Sequence, residues 1–414
     1  MRLLFITQDY PDPPTMGDRL IAYNLIRVLG RRHRIAMFSL SRDASACPRN
    51  GDLSRWCDTV HVEQTGGRQL EWMRYLASLP LALPNRYREL RSAVGIENVA
   101  RIARTERVDL VHGIGLGVAE YMAAIPGLPK VATLIDCASL RQRQFYRASP
   151  IGLRKLHHLQ NWYKVTRFER RHCPTMDTCV MVSPRDAAAL RKSAKSRNVR
   201  VISNGVLLPE LPSVAGRQSG LLAFSGAMDY WPNVDAACFL AEQVLPPLVR
   251  QRPEVTVAVI GRNPHIDLVR RLSRIPQVTV RGYVEDVPTE IGRAMIYVAP
   301  LRLGGGVKNK VLEAMATATP VMGTPEAFAG LRVVSGRDVV VCKSAADFVS
   351  GANRLLDDPQ LREQIGGNGR AYVERHHTWE AICARYEHVY AGLMGGGKGF
   401  SGVRETEDPV CPLL

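Results

Sequence analysis

A chain of 414 residues is long enough for two or three domains, each with a core of its own. Hydrophobic content of 46% against 23% charged residues is that of a globular protein, and no run of about 18 apolar residues is present to span a bilayer. The net charge of +16 favours phosphate-rich partners such as anionic lipid or nucleotide-linked substrates. Nucleic acid is set aside, because no RNP-type strand, zinc finger or helix-turn-helix pattern accompanies the charge.

The chain opens on Leu3-Leu-Phe-Ile-Thr, an apolar run followed by a Pro-rich loop, Gly17-Asp-Arg and a helical pattern that Gly30 ends. The start turns polar after six residues, which does not fit a secretory leader and leads to the expectation of a cytoplasmic protein. Strands are predicted at 34–40, 108–112, 130–136, 178–183 and 199–203, with helical segments between most of them. After Asn204-Gly-Val a Pro/Gly/Ser-containing stretch reads as a linker, and a second series of strands starts at 220–226, 255–261, 278–282, 295–300, 320–323 and 339–342. Apolar strands alternating with helices predict an α/β protein of two doubly wound Rossmann-like domains in tandem. The expected boundaries are 1–204, a linker at 205–219, a second domain at 220–378, a final helix at 379–394 and a disordered tail at 395–414.

Nine cysteines lie singly along the chain with no C-x-x-C pair, which points to reduced thiols and no zinc site. The ending Cys411-Pro-Leu-Leu formally matches a prenylation box, with proline poorly placed in it. Between Arg141 and His172 basic residues interleave with Phe145, Tyr146, Leu153, Leu156, Trp162, Tyr163 and Phe168 against one acid, Glu169. Such a segment either lies on an anionic membrane or is a solvated helix face.

The most informative stretch is Pro300-Leu-Arg-Leu-Gly-Gly-Gly-Val-Lys-Asn-Lys-Val-Leu-Glu-Ala-Met-Ala. A strand ends, Gly304, Gly305 and Gly306 follow, and a helix starts near Val307. Glycines admit a ligand close to the backbone, a helix N-terminus favours an anion, and Lys308 and Lys310 add two cations, so the pattern suits a diphosphate. Glu313, one turn on, could accept from ribose hydroxyls. It is not a Walker loop, since no G-K-[ST] follows, and the glycines at 113, 115 and 117 are not spaced as a dinucleotide fingerprint.

This run resembles the donor motif of GT-B glycosyltransferases of the family 4 type, and the resemblance extends over nearly the whole chain. Phe224-Ser-Gly-Ala-Met-Asp-Tyr-Trp-Pro-Asn-Val-Asp is similar to the start of the C-terminal domain of exopolysaccharide sugar transferases, followed in order by Val259-Ile-Gly and Gly282-Tyr-Val-Glu-Asp-Val. Asn204-Gly-Val resembles the interdomain motif. Gly367-Asn-Gly-Arg and Trp379 resemble the C-terminal end, where the last helix crosses back to the first domain. The resemblance implies two domains facing a cleft, a nucleotide-diphosphate-sugar donor, a glycan or lipid-linked acceptor, retention of anomeric configuration, and neither metal nor other cofactor.

By the same resemblance Gly17, Gly226, Gly282, Tyr283, Arg302, Gly304, Gly305, Gly306 and Glu313 are expected to bind the donor, with Lys308 and Lys310 stabilising the departing diphosphate. His112 matches the first histidine of a family His-x-His pattern, with Ile114 in place of the second, and either lines the active site or is structural. Asp136 and Ser139 either contact the acceptor or cap the following helix. Gly305 stands where the family has the first of two glutamates, and Pro232-Asn233 where many relatives carry a basic residue. Other activities of the same fold, epimerase or phosphorylase, and an inactive nucleotide-sugar-binding scaffold are the alternatives. Peripheral contact through 141–172 would put the protein at the inner face of the cell membrane.

Overall fold

The computed structural model describes residues 1–14, 17–41, 51–65, 84–210, 216–303 and 307–395, and the expected glycine run 304–306 and tail 396–414 lie outside the described residues. The chain divides into two compact units. Among the described residues, unit 1 holds Met1–Ser203 together with 382–395, and unit 2 holds Asn204–Ala381.

Unit 1 is a parallel sheet of seven strands: β1 (Arg2–Thr7), β2 (Arg34–Ser41), β3 (Thr59–Gln64), β4 (Leu110–Ile114), β5 (Lys130–Leu134), β6 (Thr178–Met181) and β7 (Val199–Val201), in the order β3-β2-β1-β4-β5-β6-β7. Leu3, Leu4, Phe5 and Ile6 are all inaccessible to solvent. A strand buried on both faces has to be apolar at every position, which is why β1 reads as a continuous run rather than an alternation. Each such side chain contributes about 1.5–3 kcal/mol by leaving water. The order reverses between β1 and β4, the place where doubly wound sheets open a crevice at the strands' carboxyl ends.

The sequence pattern missed β3. Its Thr-Val-His-Val-Glu-Gln sits on the sheet edge half-exposed, and an edge strand needs no continuous apolar run.

Unit 2 repeats the scheme with six parallel strands: β8 (Leu221–Ser225), β9 (Thr256–Ile260), β10 (Val278–Arg281), β11 (Ile296–Ala299), β12 (Val321–Gly323) and β13 (Val340–Val341), in the order β10-β9-β8-β11-β12-β13. Here the reversal falls between β8 and β11. The Asn204-Gly-Val motif has a packing reason within this unit. Val206 donates its N–H to the His377 carbonyl at 2.7 Å, and a Cβ on Gly205 would come within 2.6 Å of the Trp379 ring.

The last helix, Trp379–Met394, begins in unit 2 and continues in unit 1. Within unit 1 the Tyr386 hydroxyl bonds Thr133 at 3.0 Å, the Tyr390 hydroxyl bonds His112 at 2.6 Å, and Glu387 meets His33 at 2.8 Å. The crossing back expected from the resemblance is thus present as these side-chain contacts.

Candidate functional site

In unit 2 Gly226, Lys310 and Glu313 gather where the strand order reverses. The register pairs Ser225 of β8 with Ile260 of β9, so the residues that follow, Gly226 and Gly261, lie side by side. A Cβ on Gly261 would fall 1.7 Å from the Gly226 carbonyl oxygen. A Cβ on Gly226 would lie 2.5 Å from Lys310 Nζ and 2.7 Å from Asn233 Nδ2. Both glycines are there because other groups occupy the space a side chain would need.

The helix Asn309–Ala316 starts at Lys308, whose side chain makes no capping hydrogen bond to the first turn. Lys310 extends from this turn to donate to Asn233 Oδ1, with its Nζ 5.1 Å from the centre of the Phe224 ring. Burial lowers its proton affinity to about pKa 8, with Glu313 opposing the shift and Lys308 adding to it. Glu313 lies one turn further along the same face, and burial raises its carboxyl above the usual range while Lys310 pulls it down. Tyr297 of β11, whose hydroxyl bonds Ser225 Oγ at 2.9 Å, feels the Glu313 charge and is raised well beyond its ordinary value by burial. The cluster is a half-buried ammonium beside a helix start, a combination suited to an anion.

The remaining unit 2 residues stand apart from this cluster. Arg302 forms a two-pronged pair with Asp235, at 3.0 and 2.5 Å, and its guanidinium lies over the Phe239 ring at 4.8 Å. That carboxylate matches its charge in this structure. Gly282 follows β10 in open space, where a Cβ would meet nothing within 4 Å, and Tyr283 beside it is 77% exposed. A mostly apolar cavity of about 470 Å³ between the helices Trp231–Phe239 and Ile266–Leu272 is lined by Trp231 and Cys238 and by none of the predicted residues.

Four predicted residues belong to unit 1. Gly17 starts the first helix with φ 58°, a conformation that a side chain resists, while a Cβ would meet only Ile135 at 3.8 Å; the backbone turn requires this glycine, not crowding. His112 is completely buried in β4. Its Nε2 contacts Thr133 Oγ1 at 2.8 Å, its Nδ1 contacts the Tyr390 hydroxyl, and the Phe5 ring lies 4.8 Å away. Burial holds it near pKa 3, so it is neutral with both nitrogens engaged, the structural alternative of its two readings.

Asp136 pairs with Arg141 at 2.6 Å and is half-buried. Ser139 is 3% exposed, and its N–H donates to Glu169 Oε1 at 3.0 Å. Neither side chain caps the helix Ala138–Ala148, which starts at Cys137 without a side-chain cap; the buried Glu169 carboxylate serves its first turn instead. Asn233, Phe224 and Gly261 were absent from the predicted set. The signal for Gly261 was the pair of strand-ending glycines in Ser225-Gly and Ile260-Gly, while Asn233 was visible only as a departure from the family pattern.

Two family models cover most of the chain. The model for glycosyltransferase family 4 matches residues 20–208, and that for glycosyl transferases group 1 matches residues 219–358. The two units are glycosyltransferase domains of the GT-B fold. This GT-B chain is 29% identical over 158 residues to the GDP-mannose-dependent monoacylated alpha-(1-6)-phosphatidylinositol monomannoside mannosyltransferase of Corynebacterium glutamicum, a match covering 36% of the chain and 42% of the relative. The curated relatives it matches first are covered over less than half of their own length. Among solved structures, the sucrose-phosphate synthase of Thermosynechococcus elongatus aligns with TM-score 0.69 and 18% identity over 96% of the GT-B chain and 100% of that structure. Anabaena HepE, solved in complex with UDP-glucose, aligns with TM-score 0.61 and 16% identity over 95% of the chain and 100% of that structure. At these identities the structural likeness establishes the fold.

Proposed function

We propose that the protein is a retaining glycosyltransferase that moves a sugar from a nucleotide-diphosphate-sugar to a glycan or lipid-linked acceptor in the synthesis of a cell-surface polysaccharide. The observation that carries this reading is Lys310: a half-buried ammonium beside a helix start, at the point where the sheet order of a GT-B domain reverses. Breaking the anomeric bond puts negative charge on the leaving diphosphate. Groups that meet this charge lower the barrier more than groups that only hold the sugar.

Lys310 and the first-turn amides supply that stabilisation, with Lys308 at the helix start adding to the field, and no cofactor enters the step. The acceptor hydroxyl attacks on the face from which the diphosphate departs, and the leaving phosphate oxygen takes its proton. The new bond then keeps the anomeric configuration of the old one. In this reading Glu313 accepts from a ribose hydroxyl.

A lipid-linked acceptor calls for contact with a membrane, and the segment 141–172 offers a surface for it. The helices Ala138–Ala148 and Leu153–His172 form a hairpin packed through Tyr146 on Trp162 and Phe145 on His158. At its turn Ile151 is 96% exposed and Leu153 83%, with Arg147, Arg154 and Lys155 in the same stretch of chain. Apolar tips among basic groups suit an anionic bilayer at the cytoplasmic face. Replacing Ile151 and Leu153 by Asp is expected to abolish co-sedimentation with phosphatidylglycerol vesicles while leaving nucleotide binding unchanged.

Turnover of UDP-glucose, GDP-mannose and related donors, by transfer to a lipid-phosphate acceptor or by hydrolysis, tests the reading as a whole. Release of a nucleoside diphosphate supports it. Binding of a nucleotide sugar without release would instead identify a scaffold that has lost catalysis.

A further inference from the structure

Asn233 occupies a place of unusual constraint in unit 2. It lies near the start of the helix Trp231–Phe239, is 6% exposed, and its side-chain amide is held on both ends. Nδ2 donates to the Ala227 carbonyl at 2.8 Å, and Oδ1 accepts from Lys310 Nζ. The partners fix which end is which, because a carbonyl can only accept and an ammonium can only donate. Ala227 belongs to the loop after β8, so Asn233 ties that loop to the lysine of the facing helix. Gly226 completes the arrangement by leaving room for both the amide and the ammonium.

The chemistry of this residue differs from that of its neighbour two positions on. Asp235, on the same helix, neutralises Arg302 through a two-pronged ion pair. Asn233 gives Lys310 an acceptor of the same size without a negative charge. An ammonium has three N–H groups, and the hydrogen bond it makes among the described residues goes to Asn233. Asn233 therefore orients the lysine without itself adding a charge that would cancel it.

We infer that Asn233 is a positioning residue: it aims the Lys310 ammonium at the diphosphate of the donor. This rests on the donor reading above. It predicts that the two available changes at 233 fail differently. Asn233→Ala removes the tether and leaves the charge. Asn233→Asp keeps the acceptor and pairs with the ammonium, in addition to the Glu313 carboxyl and against the Lys308 charge that already act on it.

The test is calorimetric titration of the full chain with UDP, GDP, UMP and GMP from neutral to alkaline pH, with circular dichroism confirming that each variant is folded. Asn233→Ala is expected to weaken diphosphate binding roughly tenfold, the loss of one charge-assisted hydrogen bond, and to leave monophosphate binding close to wild type. Asn233→Asp is expected to weaken diphosphate binding at neutral pH and to move its alkaline fall-off to higher pH, because the new carboxylate holds the ammonium protonated. A loss that arose from general damage to unit 2 would not move the pH profile. Should Asn233→Ala fail to fold, the shift in Asn233→Asp decides alone. Wild-type affinity and an unmoved pH profile in Asn233→Asp would overturn the inference while the donor reading stood. Failure of the wild-type chain to bind either UDP or GDP would overturn the donor reading and this inference with it.

Discussion

His112 and Lys310 make an instructive pair, one in each unit, both sunk into protein so that burial lowers their proton affinity. Around His112 the surroundings are complete: Thr133 and Tyr390 take its two nitrogens, and Phe5, Tyr386 and Tyr390 enclose the ring. Around Lys310, among the described residues, only Asn233 takes an N–H, with Phe224 beneath the charge and a helix start beside it. A buried group whose hydrogen bonds all return to the protein holds a fold together. One left with spare donors is arranged for something that arrives later.

The sharpest way to break this contrast is Lys310→Ala, which should lower donor turnover by about 10²–10³-fold, the cost of removing one preorganised donor to a developing anion, as read from steady-state kinetics. Unit 2 should remain folded in the same preparation. His112→Ala should do the opposite, costing unit 1 about 2–4 kcal/mol in denaturant unfolding while turnover per folded molecule stays unchanged below the transition. Gly226→Ala tests how tightly the Lys310 site is built, since its Cβ would fall 2.5 Å from Nζ. Displacing the ammonium should weaken UDP or GDP binding roughly tenfold without altering unit 1.

The smallest effect is one of pH. His112 stays neutral in the folded protein down to about pH 3, whereas in the unfolded chain it gains a proton near its ordinary value of about 6.5. The unfolded state therefore binds more protons between those values, and the stability of unit 1 falls as pH drops through that window. His172, pushed down to about 4 by burial, acts in the same direction. The dependence of Tm on pH below about 6.5 should flatten in His112→Gln.

All six strands of unit 2 were legible: the central β8, β9, β11 and β12 are predominantly apolar runs, and the edge strands β10 and β13 still carry valines. In unit 1 the edge strand β3 escaped notice because half of its surface faces solvent. The Lys310 cluster was legible as far as local chemistry reaches: glycines, lysines and a helix start adjacent in sequence. The role of Asn233 was not, since the lysine it holds lies 77 residues further along the chain and meets it only through the strand order. His112 could be read either way from sequence, and its place in the core depends on Tyr390, 278 residues further on. The Arg302 pair with Asp235 was not visible in the sequence, because the two residues lie 67 positions apart.

The most direct measurement is the titration of Lys310 itself, followed by NMR of lysine-labelled protein with Lys310→Arg to assign the signal. In the free chain the ammonium should titrate near about 8, and saturating UDP or GDP should raise that value, since a bound diphosphate favours the charged form. A Lys310 resonance that neither nucleotide moves would contradict the claim that this lysine is built to meet one.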